Sequence, residues 1–157
     1  GVLPEHMQEG LLRYEGSPLR WQELSVGERT LINDAYNANP LSMRCAVRAF
    51  VETFEGREPW AILGEMAELG PEAESLHRML GAWLDRQDLR GILAVGRAGA
   101  WIAAELKQVP VEVVDSVEAA AGAAEARIPR DAAVLLKASR SVKLETLIPL
   151  LHKEHTP

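Results

Sequence analysis

From Leu31 onward the chain alternates short apolar runs with longer amphipathic ones, and this rhythm limits the possible folds more than any other feature. Trp60–Gly64 (WAILG), Gly91–Val95 (GILAV) and Ala132–Leu136 (AAVLL) have no polar alternation, as expected of strands covered on both faces. Val111–Val114 is a further short run. Between them lie stretches with helical spacing. Pro40 to about Phe54 carries Met43, Val47, Phe50 and Phe54, and Pro71 to about Gln87 carries Leu76, Leu80, Trp83 and Leu84. A helix after Gly96 runs to about Gln108, an Ala-rich helix is capped by Asp115 or Ser116, and Val142–His152 closes the chain. Such alternation predicts a mostly parallel sheet with helices on both faces. Upstream, Arg20–Val26 reads as a strand turning at Gly27-Glu28 into Thr30–Asp34, which adds an antiparallel edge. The fold expected is α/β: a Rossmann-like, three-layer domain of about six strands. Glu5–Tyr14 reads as a separate helix, broken by Gly16-Ser17-Pro18.

In folds of this class ligands sit beyond the C-terminal ends of the strands. The polar loops there are Asp34–Asn39, Glu65–Gly70, Gly96–Gly99, Asp115–Ser116 and Lys137–Arg140. The first belongs to L-I-N-D-A-Y-N-A-N-P, an apolar run that delivers Asp34, Tyr36, Asn37 and Asn39 before Pro40 opens a helix. Asp and Asn there either shape the turn and cap the helix or bind a ligand. In Lys137-Ala138-Ser139-Arg140, two cations and a hydroxyl at a helix start suit a carboxylate or phosphate. The alternative is solvated loop charge, though the chain has only four lysines. Arg20, just past the Gly16-Ser17-Pro18 linker, is either a surface arginine or one able to swing onto a phosphate.

Other features are weaker. Glu65, Glu68 and His77 match no metal spacing, and His77 reads as a helix-face histidine bonding a neighbouring loop, with Glu74 a possible partner. Gly96-Arg97-Ala98-Gly99 lacks the three-glycine dinucleotide pattern and reads as a tight strand-to-helix turn. Cys45, the only cysteine, reads as a small core residue, and a lone cysteine suits a reducing compartment. A net charge of −6 argues against a nucleic-acid binder, and no apolar run approaches a membrane span. There is no Gly-Lys dipeptide and so no P-loop to hold a nucleoside triphosphate.

D-A-Y-N-A-N-P-L-S-M at Asp34–Met43, G-E-M-A-E-L-G at Gly64–Gly70 with His77 downstream, V-G-R at Val95–Arg97 and K-A-S-R-S-V-K-L-E at Lys137–Glu145 occur in that order. Together they resemble the C-terminal domain of a Mur ligase, most closely the UDP-N-acetylmuramoyl-tripeptide:D-alanyl-D-alanine ligase type. The resemblance implies that residues 1–19 end a central ATPase domain and that 20–157 form the Mur ligase C-terminal domain. It implies a cytoplasmic, monomeric enzyme of peptidoglycan synthesis. Such an enzyme uses ATP and Mg2+, held mostly by the central domain, to activate the UDP-N-acetylmuramoyl-tripeptide carboxylate for attack by D-Ala-D-Ala. By similarity, Arg20 would approach the ATP phosphates and Asp34 the ribose. Tyr36, Asn37 and Asn39 would line the nucleotide side, and Lys137, Ser139 and Arg140 would receive the dipeptide carboxylate. Glu65 and Ala138 stand where the family commonly has Asp and Gly, and a methyl at 138 disfavours positive φ. Two further readings are a sister Mur or folylpolyglutamate ligase and a stand-alone nucleotide-binding α/β module, since fold alone does not decide function.

Overall fold

A computed structural model describes residues 17–153, so the expected helix over Glu5–Tyr14 lies outside the described residues. The strands are β1 (Gln22–Val26), β2 (Arg29–Asn33), β3 (Pro59–Leu63), β4 (Gly91–Val95), β5 (Val111–Val114) and β6 (Ala133–Lys137). The helices are α1 (Pro40–Thr53), α2 (Ala73–Leu84), α3 (Gly96–Ala103), α4 (Val117–Arg127) and α5 (Leu147–Lys153). The sheet order is β1-β2-β6-β3-β4-β5, with β1 antiparallel to β2 and every other pairing parallel.

Alternate residues of the central strands feed two cores. Leu31, Ile62, Leu93, Val134 and Leu136 pack with α4 and α5, while Ile32, Ala61, Leu63, Ile92, Ala94 and Leu135 pack with α1, α2 and α3. A period of two along strands buried on both faces makes a three-layer domain, as the sequence predicts. Arg29 is buried where the β1–β2 hairpin meets the end of α4. Its guanidinium donates to Ile128 O (2.7 Å) and Pro129 O (3.2 Å) and pairs with Glu125.

Two boundaries and one burial differ notably from expectation. The last helix starts at Leu147 rather than Val142, after two 3₁₀ turns (Arg140–Val142 and Leu144–Thr146) separated by left-handed Lys143 (φ 54°). The late start puts Pro149 in the first turn, where its missing N–H breaks no helical bond. Helix α3 stops at Ala103 because Asp85 Oδ1 accepts the Lys107, Gln108 and Val109 N–H groups (2.7, 2.6 and 3.1 Å) and turns the chain toward β5. Cys45 is exposed, contrary to the expected core placement. Met43, Ala46, Val47 and Phe50 form the buried stripe of α1, and residue 45 falls on the opposite side at 100° per residue.

Candidate functional site

Because β6 lies between β2 and β3, their exit loops emerge side by side. Asn33 registers with Leu136 and Leu63 with Lys137. The ladder runs on past the strands, with Asp34 N–H donating to Leu136 O (2.9 Å) and Gly64 N–H to Lys137 O (3.0 Å).

Lys137 is the last residue of β6, not the first of its exit loop, and its side chain is 3% exposed. A buried ammonium needs partners for its charge and its donors. Lys137 Nζ donates to Asp34 Oδ2 (2.6 Å), Asn37 O (3.0 Å) and Asp34 O (3.3 Å), which uses all three hydrogens. The same carboxylate accepts the Trp21 N–H on Oδ1 (3.2 Å).

The residues after Asp34 divide by role. Tyr36 and Asn37 are exposed at the loop tip, and the Arg20 guanidinium lies 4.1 Å from the Tyr36 ring centroid. Asn37 Oδ1 accepts the Ala38 N–H (2.8 Å). Asn39 forms a capping box on α1, its Oδ1 accepting the Ser42 N–H (2.8 Å) and its own N–H donating to Ser42 Oγ (3.0 Å).

Ser139 closes the seam between loops. It is buried, its N–H donates to Glu65 O (2.8 Å), and its Oγ accepts the Ala67 N–H (2.7 Å). Ala138 lies outside the left-handed region, in keeping with its methyl. That methyl fills the space over Gly64, where a Cβ would come within 2.8 Å of it. His77 is fully buried beneath the β3 exit loop. Its Nε2 accepts the Met66 N–H (2.9 Å), so Nδ1 carries the proton and donates to Ala73 O (2.6 Å). Glu74 is not its partner; that carboxylate pairs with Arg78 one turn on (2.9 Å).

Two hollows open along this edge. One, of about 390 Å³, is bordered by Tyr36, Asn37, Glu68, Ser139 and Arg140. Arg140 is exposed and paired with Glu145. The other, of about 720 Å³, is bordered by Glu65, Arg97, Trp101, Asp115, Glu118 and Lys143. Adjacent residues of the β3 and β6 loops line both, so the Glu65–Ser139 seam divides them. Arg97 stacks 5.0 Å from the Trp101 centroid. The Glu118 carboxyl is held below its ordinary value by its own backbone N–H and the Ser116 hydroxyl. The sequence places the loops that line the larger hollow on the ligand edge but assigns none of them a ligand. The hollow's signal was Arg97 at a strand exit, in a turn that also has structural reasons for its glycines: Gly96 is left-handed (φ 73°), and a Cβ on Gly99 would lie 2.5 Å from the Ala94 carbonyl carbon. Among the described residues no three His, Cys, Asp or Glu side chains gather as a metal site, and no helix is long and apolar enough to cross a membrane.

The family model described as "Mur ligase, glutamate ligase domain" matches residues 19–140. The chain belongs to the Mur ligase C-terminal domain family. This Mur ligase domain is 30% identical over 154 residues to UDP-N-acetylmuramoyl-tripeptide--D-alanyl-D-alanine ligase of Bacillus subtilis, covering 94% of this chain and 34% of the relative. A crystal structure of MurF from Acinetobacter baumannii superposes with a TM-score of 0.85 at 26% identity, over 98% of this chain and 34% of that one. MurF ligase from Thermotoga maritima in complex with ADP superposes at 0.76 and 27% identity, over 90% of this chain and 32% of that one. The chain thus spans about a third of the length of these three proteins.

Proposed function

We propose that this Mur ligase domain serves a cytoplasmic, ATP-dependent ligase that joins D-Ala-D-Ala to UDP-N-acetylmuramoyl-tripeptide in peptidoglycan synthesis. In this reading residues 1–19 lead in from a central ATPase domain. The observation that carries it is the smaller hollow: the amide-bearing turn after β2 and the cationic turn after β6 border one cleft, Asn37 and Tyr36 on one side and Ser139 and Arg140 on the other. Its donors suit a nucleotide. Tyr36 offers an aromatic face for a base and Arg140 a guanidinium for phosphate or carboxylate, while Arg20 stands beside the hollow with its guanidinium on the Tyr36 ring. The curated relative's name and the ADP complex of a structural neighbour support the same reading.

ATP, with Mg2+ held mainly by the central domain, supplies the phosphoryl group that activates the tripeptide carboxylate. The residues of this domain bind and orient. Arg20 and the Asp34–Asn39 turn serve the nucleotide side, while Arg140 receives the dipeptide carboxylate. Ser139, whose hydroxyl accepts the Ala67 N–H (2.7 Å) and donates to Ala38 O (3.4 Å), holds the turn that presents Arg140. Lys137, expected beside them, has its hydrogens taken by Asp34 and Asn37 and contributes by shaping the loop. Closure of the domain over the reacting groups excludes water that would hydrolyse the activated carboxylate.

A second location for the dipeptide is favoured by the charge pattern of the larger hollow, where Arg97 and Lys143 share a wall with Glu65, Asp115 and Glu118, a lining matched to a zwitterion. In the full-length ligase, ADP release should require both UDP-N-acetylmuramoyl-tripeptide and D-Ala-D-Ala. Release without the dipeptide, or with any amino acid equally, would refute the assignment. Arg140→Ala should raise dipeptide KM if the carboxylate sits at Arg140. A rise with Arg97→Ala or Lys143→Ala and none with Arg140→Ala would move it to the larger hollow.

A further inference from the structure

Arg20 is carried by an unusual piece of backbone. Leu19 (φ 62°) and Trp21 (φ 49°), one on each side of it, are left-handed without being glycine. Such conformations persist where surrounding contacts hold them. Here the contacts come from the turn after β2: Tyr36 N–H donates to Leu19 O (3.0 Å), and Trp21 N–H donates to Asp34 Oδ1 (3.2 Å). Asp34 is in turn held by Lys137, through the ion pair at Oδ2 and the bond to its carbonyl. Lys137 is anchored in the central strand β6, buried between β2 and β3. A continuous series of contacts therefore leads from the sheet core through Lys137, Asp34 and the Trp21 amide to the backbone of Arg20, whose guanidinium rests on Tyr36.

We propose that Lys137 is a positioning residue for Arg20: by fixing the Asp34 carboxylate it holds the left-handed Leu19–Trp21 segment and so sets where the Arg20 guanidinium stands at the nucleotide side of the cleft. This rests on the function proposed above for Arg20 but differs from a direct role of Lys137 at the dipeptide. The buried ammonium is the only cation bonded to Asp34 among the described residues, so removing it frees the carboxylate to turn away from the Trp21 amide.

The test has two independent arms. In this chain, amide exchange at Trp21 should speed up about tenfold in Lys137→Met and in Asp34→Asn, roughly the loss of one local hydrogen bond. Unchanged exchange in the β4 amides would show that the fold is intact. In the full-length ligase, Lys137→Met should raise ATP KM or lower kcat with dipeptide KM unchanged. Added to Arg20→Ala it should cost no more than about twofold further, since residues acting through one another are not additive. Unchanged Trp21 exchange in both variants, a selective rise in dipeptide KM, or effects that multiply with Arg20→Ala would each overturn the proposal. A ligase inactive with D-Ala-D-Ala would refute the proposed function while leaving the exchange result to judge Lys137.

Discussion

His77→Ala removes the acceptor that holds the β3 exit loop. The Met66 N–H, on a fully buried residue, then has no partner from this side chain, which costs about 1–3 kcal/mol. The imidazole also packs against Trp101, with ring centroids 5.7 Å apart, and such contacts contribute roughly 0.5–1.5 kcal/mol. The Nδ1 bond adds little, because helical backbone already serves Ala73 O. A loss of about 2–4 kcal/mol is expected, equivalent to a fall in Tm of roughly 6–12 °C for a domain of this size. His77→Gln offers a side-chain carbonyl to the same N–H and should recover about half. Urea unfolding followed by tryptophan fluorescence measures both variants, with the slope m unchanged if only the native state is affected. A loss below about 0.5 kcal/mol for the alanine variant, or a glutamine variant no better than alanine, would refute the view that His77 holds the loop through Met66.

Two further outcomes follow from other parts of the fold. The Asp85 carboxyl lies below its ordinary 3.8, chiefly through the Gln108 N–H and then those of Lys107 and Val109. Its stabilisation is therefore full above that value and is lost as pH falls through the lower folded one. The deficit of Asp85→Asn relative to the parent, read as unfolding midpoint against pH, should be level above about pH 5 and shrink below about pH 4; a deficit that grows on acidification would contradict the assignment. Gly81→Ala would put a Cβ 2.2 Å from Ile102 O, forcing α2 away from α3, and should destabilise by about 1–3 kcal/mol in the same urea assay. Parent-like stability would show that the helices can separate freely.

The strands were legible because burial on both faces leaves apolar runs that need no partner to be recognised, as in Gly91–Val95 and Trp60–Leu63. That the Asp34 and Lys137 loops share one edge was legible from strand-end position; that they meet depends on β6 lying beside β2, which no local pattern gives. What each residue does there was not legible either. Asn39 and Asn37 are the same residue type two positions apart, yet one caps α1 and the other borders the cleft; only the path of the backbone separates them. The burial of Lys137 depends on an ion pair across 103 residues, and the early end of α3 on amides caught by Asp85 more than 20 residues upstream. Such distant partners leave no local periodicity. The exposed Cys45 and the late start of the final helix were readable in principle, from the phase of the α1 stripe and from Pro149.

The nesting of Gly64 under Ala138 makes two distant positions share a single carbon's worth of room. One methyl fits between these loops: a Cβ on Gly64 would meet Ala138 Cβ at 2.8 Å and Val142 Cγ1 at 3.2 Å. Exchanging the pair together should therefore cost less than enlarging Gly64 alone, with the Val142 side chain left to yield by a few tenths of an ångström. The seam that separates the two hollows is thus held apart at this point by a fully buried methyl that lines neither of them.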